Sequence, residues 1–471
     1  MNLAAPLPDA AERERAATTF DRNVVVTAGA GTGKTRLLVD RLVHLLMRDP
    51  ETRLTQIVAL TFTNKAANEI KARLRERLGS YLECRLDAAS ETPKQEETRR
   101  EVRSLMDRYH LAKETLDRRA LEALRQIERS EIGTIHSFAA TLLRLHPLES
   151  GVDPQFIEDE GAAFERLFDE LWEVWLDDEL SSRASRREEW KRVLRKSGLE
   201  EMRGLAFSLC SEAVDLERLA ELSRGRKTPA AVSSWLRGLA ERGSSLLDRH
   251  PEERTNEKLV RAACAILEQF LSGDSGRDVP LAAGDSLSRN LNRNLKGWSE
   301  EDCDQAQEIA RVARALCRVD DSLAAGIVDL LIPFANKFRA VFTREGWISF
   351  DGLLARARTL VRDHPLVREG LKRRYRAILI DEFQDTDPLQ YEILIYLAEE
   401  MGRQATDWRK VRLVPGKIFV VGDPKQSIYA FRRADIEAYL EVVEKIIKAQ
   451  NGVECRLVTN FRSHEKILDV V

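Results

Sequence analysis

The sequence predicts an α/β fold: a parallel sheet covered by helices on both faces, interrupted by a large inserted all-helical domain. Three observations predict it. Short, nearly continuous apolar runs recur, each followed by a helical pattern or a turn, which is how buried parallel strands read. The long stretch between the third and fourth runs carries helical spacing with almost no strand-like alternation. Glycine-rich, acidic or mixed polar clusters follow the runs directly, at the carboxyl ends of strands where open α/β sheets bind ligands.

The runs are Val24–Ala28, 57–62, 132–135, Ala377–Ile380, 418–421 and 456–458, with helices such as 36–46 and 66–78 as crossovers. Residues 1–150 and 343–471 form the two parts of one lobe. Within the first part, 79–130 reads as a smaller helical insertion dense in alternating charge, most of it a solvated face. The inserted domain spans 151–342. There Phe164, Leu167, Phe168, Leu171, Trp172, Trp175 and Leu176 lie at helical spacing, a core-facing stripe.

Composition bounds the function classes. At 471 residues with 43% hydrophobic content, large cores form and disorder is excluded as the general state. The net charge of -3, from 75 basic and 78 acidic residues, neither demands nor excludes nucleic acid. Six cysteines without C-x-x-C spacing argue against a disulfide framework or zinc site and for a reducing cytoplasm. "MNLAAPLPDAAERERAA" turns charged before a signal-peptide core forms, and no apolar stretch reaches membrane-spanning length. A soluble, cytoplasmic protein is expected.

"VVVTAGAGTGKT" closes the first run. Gly31 and Gly33 let backbone N–H groups turn inward around phosphate oxygens, Lys34 reaches the β/γ-phosphates and the Thr35 hydroxyl ligates Mg²⁺. Ala28 stands where the strict phosphate-loop pattern has its first glycine. "AILIDEFQDTD" ends the fourth run with Asp381 and Glu382. Adjacent carboxylates are costly to bury unpaired, so a cation is their natural partner. Asp381 suits the Mg²⁺ water shell, and Glu382 the proton of an attacking water. After the fifth run, Gln426 has the chemistry to sense a γ-phosphate. Tyr429, Phe431, Arg432 and Arg433 interleave aromatics with cations as single-strand binders do, although Tyr429 and Phe431 equally suit packing under a helix start.

The set "AGAGTGKT", "TFTNKAANEIKARL", "GTIHSFAATLLRLHP", "LIDEFQDTDPLQ", "VVGDPKQSIYAFRRAD" and "LVTNFRS" resembles the UvrD/Rep-like superfamily 1A DNA helicases, and its wording is closer to the AddA and RecB helicase–nuclease subunits. The resemblance implies a RecA-like P-loop NTPase lobe with an inserted helical domain, and a second RecA-like lobe beyond Val471. It implies ATP and Mg²⁺ as cofactors. Ala28, Gly29, Ala30, Gly31, Thr32, Gly33, Lys34, Thr35 and Arg36 would hold the nucleotide, with Thr35 and Asp381 toward the metal. Glu382 would serve the attacking water and Gln426 would couple the γ-phosphate to DNA. Thr61, Phe62, Thr63, Asn64 and Lys65 match a segment that contacts single-stranded DNA. Tyr429, Phe431 and Arg432 match a base-stacking stretch. His136 matches a DNA-side motif or packs internally, and Ser137 also reads as the N-cap of a helix beginning at Phe138. In the closing "LVTNFRSHEKILDVV", Phe461 matches an adenine-stacking aromatic and Arg462 a cation aimed at the γ-phosphate.

Two departures stand out. The family's adenine-reading glutamine is replaced by Arg13, and the chain ends before the second lobe, which reads as a fragment boundary. The resemblance implies an ATP-dependent 3′–5′ helicase or translocase acting on single-stranded and duplex DNA in repair or recombination. A longer parent would have an AddB/RecC-like partner subunit. Two rival readings are a P-loop ATPase that does not act on DNA, and a non-catalytic DNA-binding subunit of a helicase–nuclease complex.

Overall fold

The computed structural model describes residues 7–86, 92–224, 230–252, 254–272, 287, 291–293, 295–317, 321–426 and 436–462. The chain divides into two compact units, residues 1–160 with 346–471, and residues 161–345.

The first unit is built on a six-stranded sheet of β1 (Val24–Ala28), β2 (Ile57–Thr61), β3 (Glu131–Thr134), β6 (Ala377–Ile380), β7 (Ile418–Gly422) and β8 (Val453–Leu457). Its order is β3-β2-β6-β7-β1-β8, and each neighbouring pair is parallel. Side-chain alternation sends Val24, Val26, Leu379, Phe419 and Val421 to one core and Val25, Ile378, Ile380, Ile418 and Val420 to the other. Both faces are therefore covered, and the strands read as continuous apolar runs for that reason.

On the first face lie α1 (Ala10–Thr18), α2 (Lys34–Arg48) and α3 (Asn64–Glu83). Leu38, Leu42 and Leu46 recur along α2 at helical spacing and are buried against the sheet. In the stretch read as a charged insertion, α4 (Pro93–Tyr109) and α5 (Lys113–Gln126) bury Val102, Leu105, Leu116 and Ala120 in that same core. One of its charges also reaches inward, since Glu101 pairs with Arg77 of α3, which in turn pairs with Asp40 of α2. On the other face α6 (Ile135–Leu145) packs with the helices Phe350–Asp363 and Pro388–Leu397.

Three expectations are corrected. The last strand lies at Val453–Leu457 rather than 456–458; its alternating burial, Glu454 and Arg456 outward, hides it from a search for continuous apolar runs. The helix after β3 starts at Ile135 with Thr134 as N-cap, and Ser137 is its third residue, completing a capping box by accepting from the Thr134 N–H at 3.0 Å. Finally, β4 (Ile157–Asp159) and β5 (Trp347–Ser349) form a separate parallel pair. Strands of three residues with partners distant in sequence leave little periodic signal.

The second unit is helical among its described residues, running from Ala162–Leu180 to Asp321–Arg344. Most of the predicted stripe on Ala162–Leu180 is core, with Leu171 and Leu176 half-buried: Phe168 and Trp172 meet Phe334 edge-on at 5.5 and 5.1 Å between centroids. No helix of the described residues is long and apolar enough to cross a membrane.

Candidate nucleotide-binding site

Chain segments after the strands of the large sheet meet at one edge. After β1 the backbone turns through Gly31 (φ 76°) and Gly33 (φ 83°), conformations that a side chain resists, and α2 begins at Lys34. The Thr32 hydroxyl donates to the Gly29 carbonyl at 2.8 Å and closes the loop on itself. A glycine-turned loop leading into the N-terminus of α2, whose first N–H groups have no partner within the helix, is an arrangement suited to binding an anion.

Lys34 Nζ lies 2.6 Å from Glu382 Oε2, beyond the end of β6. The strand β7 lies between β1 and β6, so their axes stand roughly 10 Å apart, a gap that the lysine chain bridges. Glu382 itself adopts φ 50°, a left-handed conformation in a non-glycine residue. Beside it, desolvation and the neighbouring Glu382 carboxylate push the Asp381 carboxyl up to about 7, against the opposing pull of Lys34. A carboxylate so placed gains from a cation.

Gln384, 2% exposed, links this pair to the next strand. Its Nε2 donates to Glu382 Oε2 at 2.8 Å, and its Oε1 accepts from the Asp423 N–H at 3.0 Å, just past β7. Gln426 Nε2 then donates to Asp423 Oδ2 at 2.7 Å. A continuous polar chain, Lys34–Glu382–Gln384–Asp423–Gln426, therefore crosses the ends of three strands. Gln384 was missed as a site residue; its position two residues after Glu382 in a buried turn was the available signal.

The segment after β8 leans on the phosphate loop. Phe461 donates its N–H to the Gly31 carbonyl at 2.8 Å, and Asn460 Nδ2 donates to the Ala30 carbonyl at 3.0 Å. A Cβ on Gly31 would come within 2.7 Å of Arg462 Cβ, so only glycine admits this approach. Arg36 and Phe461, which is 55% exposed, share a cleft of about 350 Å³ with Arg13 and Leu37. Arg36 also pairs with Glu97 at 3.3 Å.

A second cleft of about 570 Å³ opens between β2 and β6 and reaches from Asp381 and Glu382 to Thr61, Phe62, Thr63, Asn64 and His136. Thr61 is buried and donates to the Thr63 carbonyl at 2.9 Å, while Thr63 caps α3 by accepting from the Ala66 N–H at 3.1 Å. Their role includes the turn itself. Phe62, Asn64 and Lys65 are exposed beside it. His136 packs edge-on against Phe350 at 5.0 Å, and burial lowers its pKa. Tyr429, Phe431 and Arg432 lie outside the described residues.

Comparison with known proteins adds an independent line. The model of the UvrD/REP helicase N-terminal domain family matches residues 10–446. An ATP-dependent helicase/nuclease subunit from Carboxydothermus hydrogenoformans is 26% identical over 98% of this chain and 39% of its own length. Its namesake from Oceanobacillus iheyensis is 24% identical over 97% of this chain and 38% of its own. The RecBCD enzyme subunit RecB of Escherichia coli is 27% identical over 93% and 36% respectively. The chain thus spans well under half the length of these relatives.

Proposed function

The chain belongs to the UvrD/REP helicase N-terminal domain family, and on that premise we propose that its first unit is the RecA-like, ATP-binding lobe of an ATP-dependent DNA helicase. The observation that carries the proposal is the polar chain from Lys34 to Gln426 at one sheet edge. It joins the residues that would meet a triphosphate to the strand ends that neighbour the Phe62 segment.

In this reading the loop from Ala28 to Thr35 holds the phosphates, and Lys34 leaves Glu382 for the β/γ-phosphates. Thr35 and Asp381 would hold Mg²⁺, which neutralises phosphate charge. Glu382, released from Lys34 but still bonded to Gln384, accepts the proton of the attacking water. Gln426 orients that water or senses the γ-phosphate, and Arg462 stabilises the developing charge. Phe461 and Arg36 flank the base.

The DNA side would comprise Phe62 stacking on a base, Asn64 and Lys65 near the backbone, and Tyr429, Phe431 and Arg432 beyond Gln426. Two relatives are named as helicase/nuclease subunits and a third as part of the RecBCD enzyme. By likeness to them, the longer protein would move 3′ to 5′ in DNA repair or recombination beside an AddB/RecC-like partner.

The test is single-stranded DNA binding, read by fluorescence anisotropy with and without a non-hydrolysable ATP analogue and Mg²⁺. The proposal expects salt-sensitive binding that Phe62→Ala weakens at least tenfold and that the analogue changes. Binding indifferent to both would leave a P-loop ATPase without a DNA role.

A further inference from the structure

The helix that begins at Lys34 is gripped along one side by polar partners. Arg36, Asp40 and His44 stand one turn apart on α2. Arg36 pairs with Glu97 of α4 at 3.3 Å, and His44 Nδ1 lies 2.9 Å from the Tyr109 hydroxyl of the same helix. Between them Asp40 pairs with Arg77 of α3, which pairs in turn with Glu101 of α4. Residue numbers rise together on the two sides, so α4 runs beside α2 in the same direction.

Arg77 is the hub of this ladder. Its Nη1 donates to Asp40 Oδ1, and its Nε is shared between Glu101 Oε1 at 2.6 Å and the Tyr81 hydroxyl at 3.0 Å. Tyr81 is buried, and its hydroxyl donates to the same Glu101 oxygen. The side chains of Arg36 and Glu97 are 65% and 69% exposed, whereas those of Asp40, Arg77 and Glu101 are between 23% and 27% exposed. Water and salt screen the outer pair, while the inner cluster keeps more of its strength.

Leu38, Leu42 and Leu46 press α2 against the sheet, but apolar burial has no direction of its own. A guanidinium fork on a carboxylate does, because its donors are fixed in one plane. The Asp40–Arg77 pair therefore sets how far α2 lies along its axis and how it is turned. Asp40 stands six residues beyond Lys34, about 9 Å along the helix. We propose that Arg77 is a positioning residue of the nucleotide site. Through Asp40 it sets the place of Lys34 and Thr35, and through Glu101 it ties that place to the inserted helix α4, which braces the phosphate loop. The proposal rests on reading the loop at Gly29–Lys34 as a triphosphate site.

Equilibrium titration of the 471-residue chain with inorganic tripolyphosphate and Mg²⁺, well below the melting temperature, tests it. Arg77→Met keeps the length of the side chain without its fork and should weaken binding about tenfold. Asp40→Leu should do the same, and the double variant should lose no more than either single one, since the two residues act as a unit. Arg77→Lys, which keeps the charge, should bind more tightly than Arg77→Met. Leu360→Ala opens a cavity in the core on the other face of the sheet. It should lower the melting temperature and leave tripolyphosphate affinity unchanged, because lost stability alone does not move the loop. An Arg77→Met chain that melts lower but binds as the natural one does overturns the proposal, as does an equal loss of affinity in Leu360→Ala. If Arg77→Met does not fold, Arg77→Gln makes the same comparison, and an unchanged affinity overturns the proposal there too. If the natural chain does not bind tripolyphosphate, or Lys34→Ala leaves the binding intact, the triphosphate reading itself falls. A loss in Lys34→Ala beside none in Arg77→Met confines the failure to the brace.

Discussion

Lys34 and Glu382, 348 positions apart in the chain, form an ion pair of 2.6 Å between Nζ and Oε2. One stands at the first turn of α2, the other in a left-handed turn after β6. In the proposed reading the pair would place a cation for phosphate and a base for water within one side-chain length.

Glu382→Gln removes the proton acceptor while keeping a partner for Gln384 and Lys34. Nucleotide affinity should change less than threefold. Single-turnover phosphate release with single-stranded DNA should fall roughly 100-fold or more, the usual scale for losing a general base. Undiminished release would remove Glu382 from that role.

Gln384→Leu keeps the volume but strands the buried Asp423 N–H and takes a donor from Glu382. An unsatisfied buried group of this kind costs about 1–3 kcal/mol. Chemical denaturation followed by the fluorescence of Trp408, in the same unit, should show a loss of this size. A neutral result would mean that the link between β6 and β7 is replaceable.

Gly31→Ala adds a Cβ at positive φ, 2.7 Å from Arg462 Cβ and Asn460 Oδ1. The strain should cost on the order of 1–3 kcal/mol and push residues 460–462 off the loop, lowering triphosphate affinity at least tenfold. Gly79→Ala is the contrasting case. It lies inside α3 with open space around the added carbon and should stabilise by about 0.5–1 kcal/mol. Thermal melts of both variants should move in opposite directions.

His44 should contribute an acid-side loss of stability. Its Nδ1 is 2.9 Å from the Tyr109 hydroxyl, and burial, then Arg108, lowers its pKa to about 4. The folded state therefore binds its proton less readily than the unfolded chain, where histidine titrates near ~6.5. Between those values the unfolded chain is the more protonated, so stability falls as pH drops and is unaffected above that window. Denaturation at pH 7.5, 5.5 and 4.5 should show a slope that His44→Gln reduces. Equal slopes would place the acid sensitivity elsewhere.

The sheet was legible wherever burial on both faces makes a strand uniformly apolar: Val24–Ala28 and Ala377–Ile380 are read to the residue. It was less legible where one face meets solvent, as at Glu454 and Arg456, because alternation replaces the run. Among site residues, Gly31, Gly33, Lys34 and Glu382 announce themselves by local spacing. Gln384 and Asn460 do not. Their partners, Asp423 and Ala30, are distant in sequence, and a hydrogen bond closed only by the tertiary fold has no local pattern. Ser137 misled because Thr134, three residues earlier, competes for the same cap and has the extended backbone that a cap requires.

The most direct measurement is calorimetric titration of the chain with Mg²⁺–ATP, comparing the natural sequence with Lys34→Ala. A nucleotide site at the sheet edge requires one binding event in the natural chain and at least a tenfold loss in the variant, with both proteins melting alike. Equal affinity in the two proteins would contradict it.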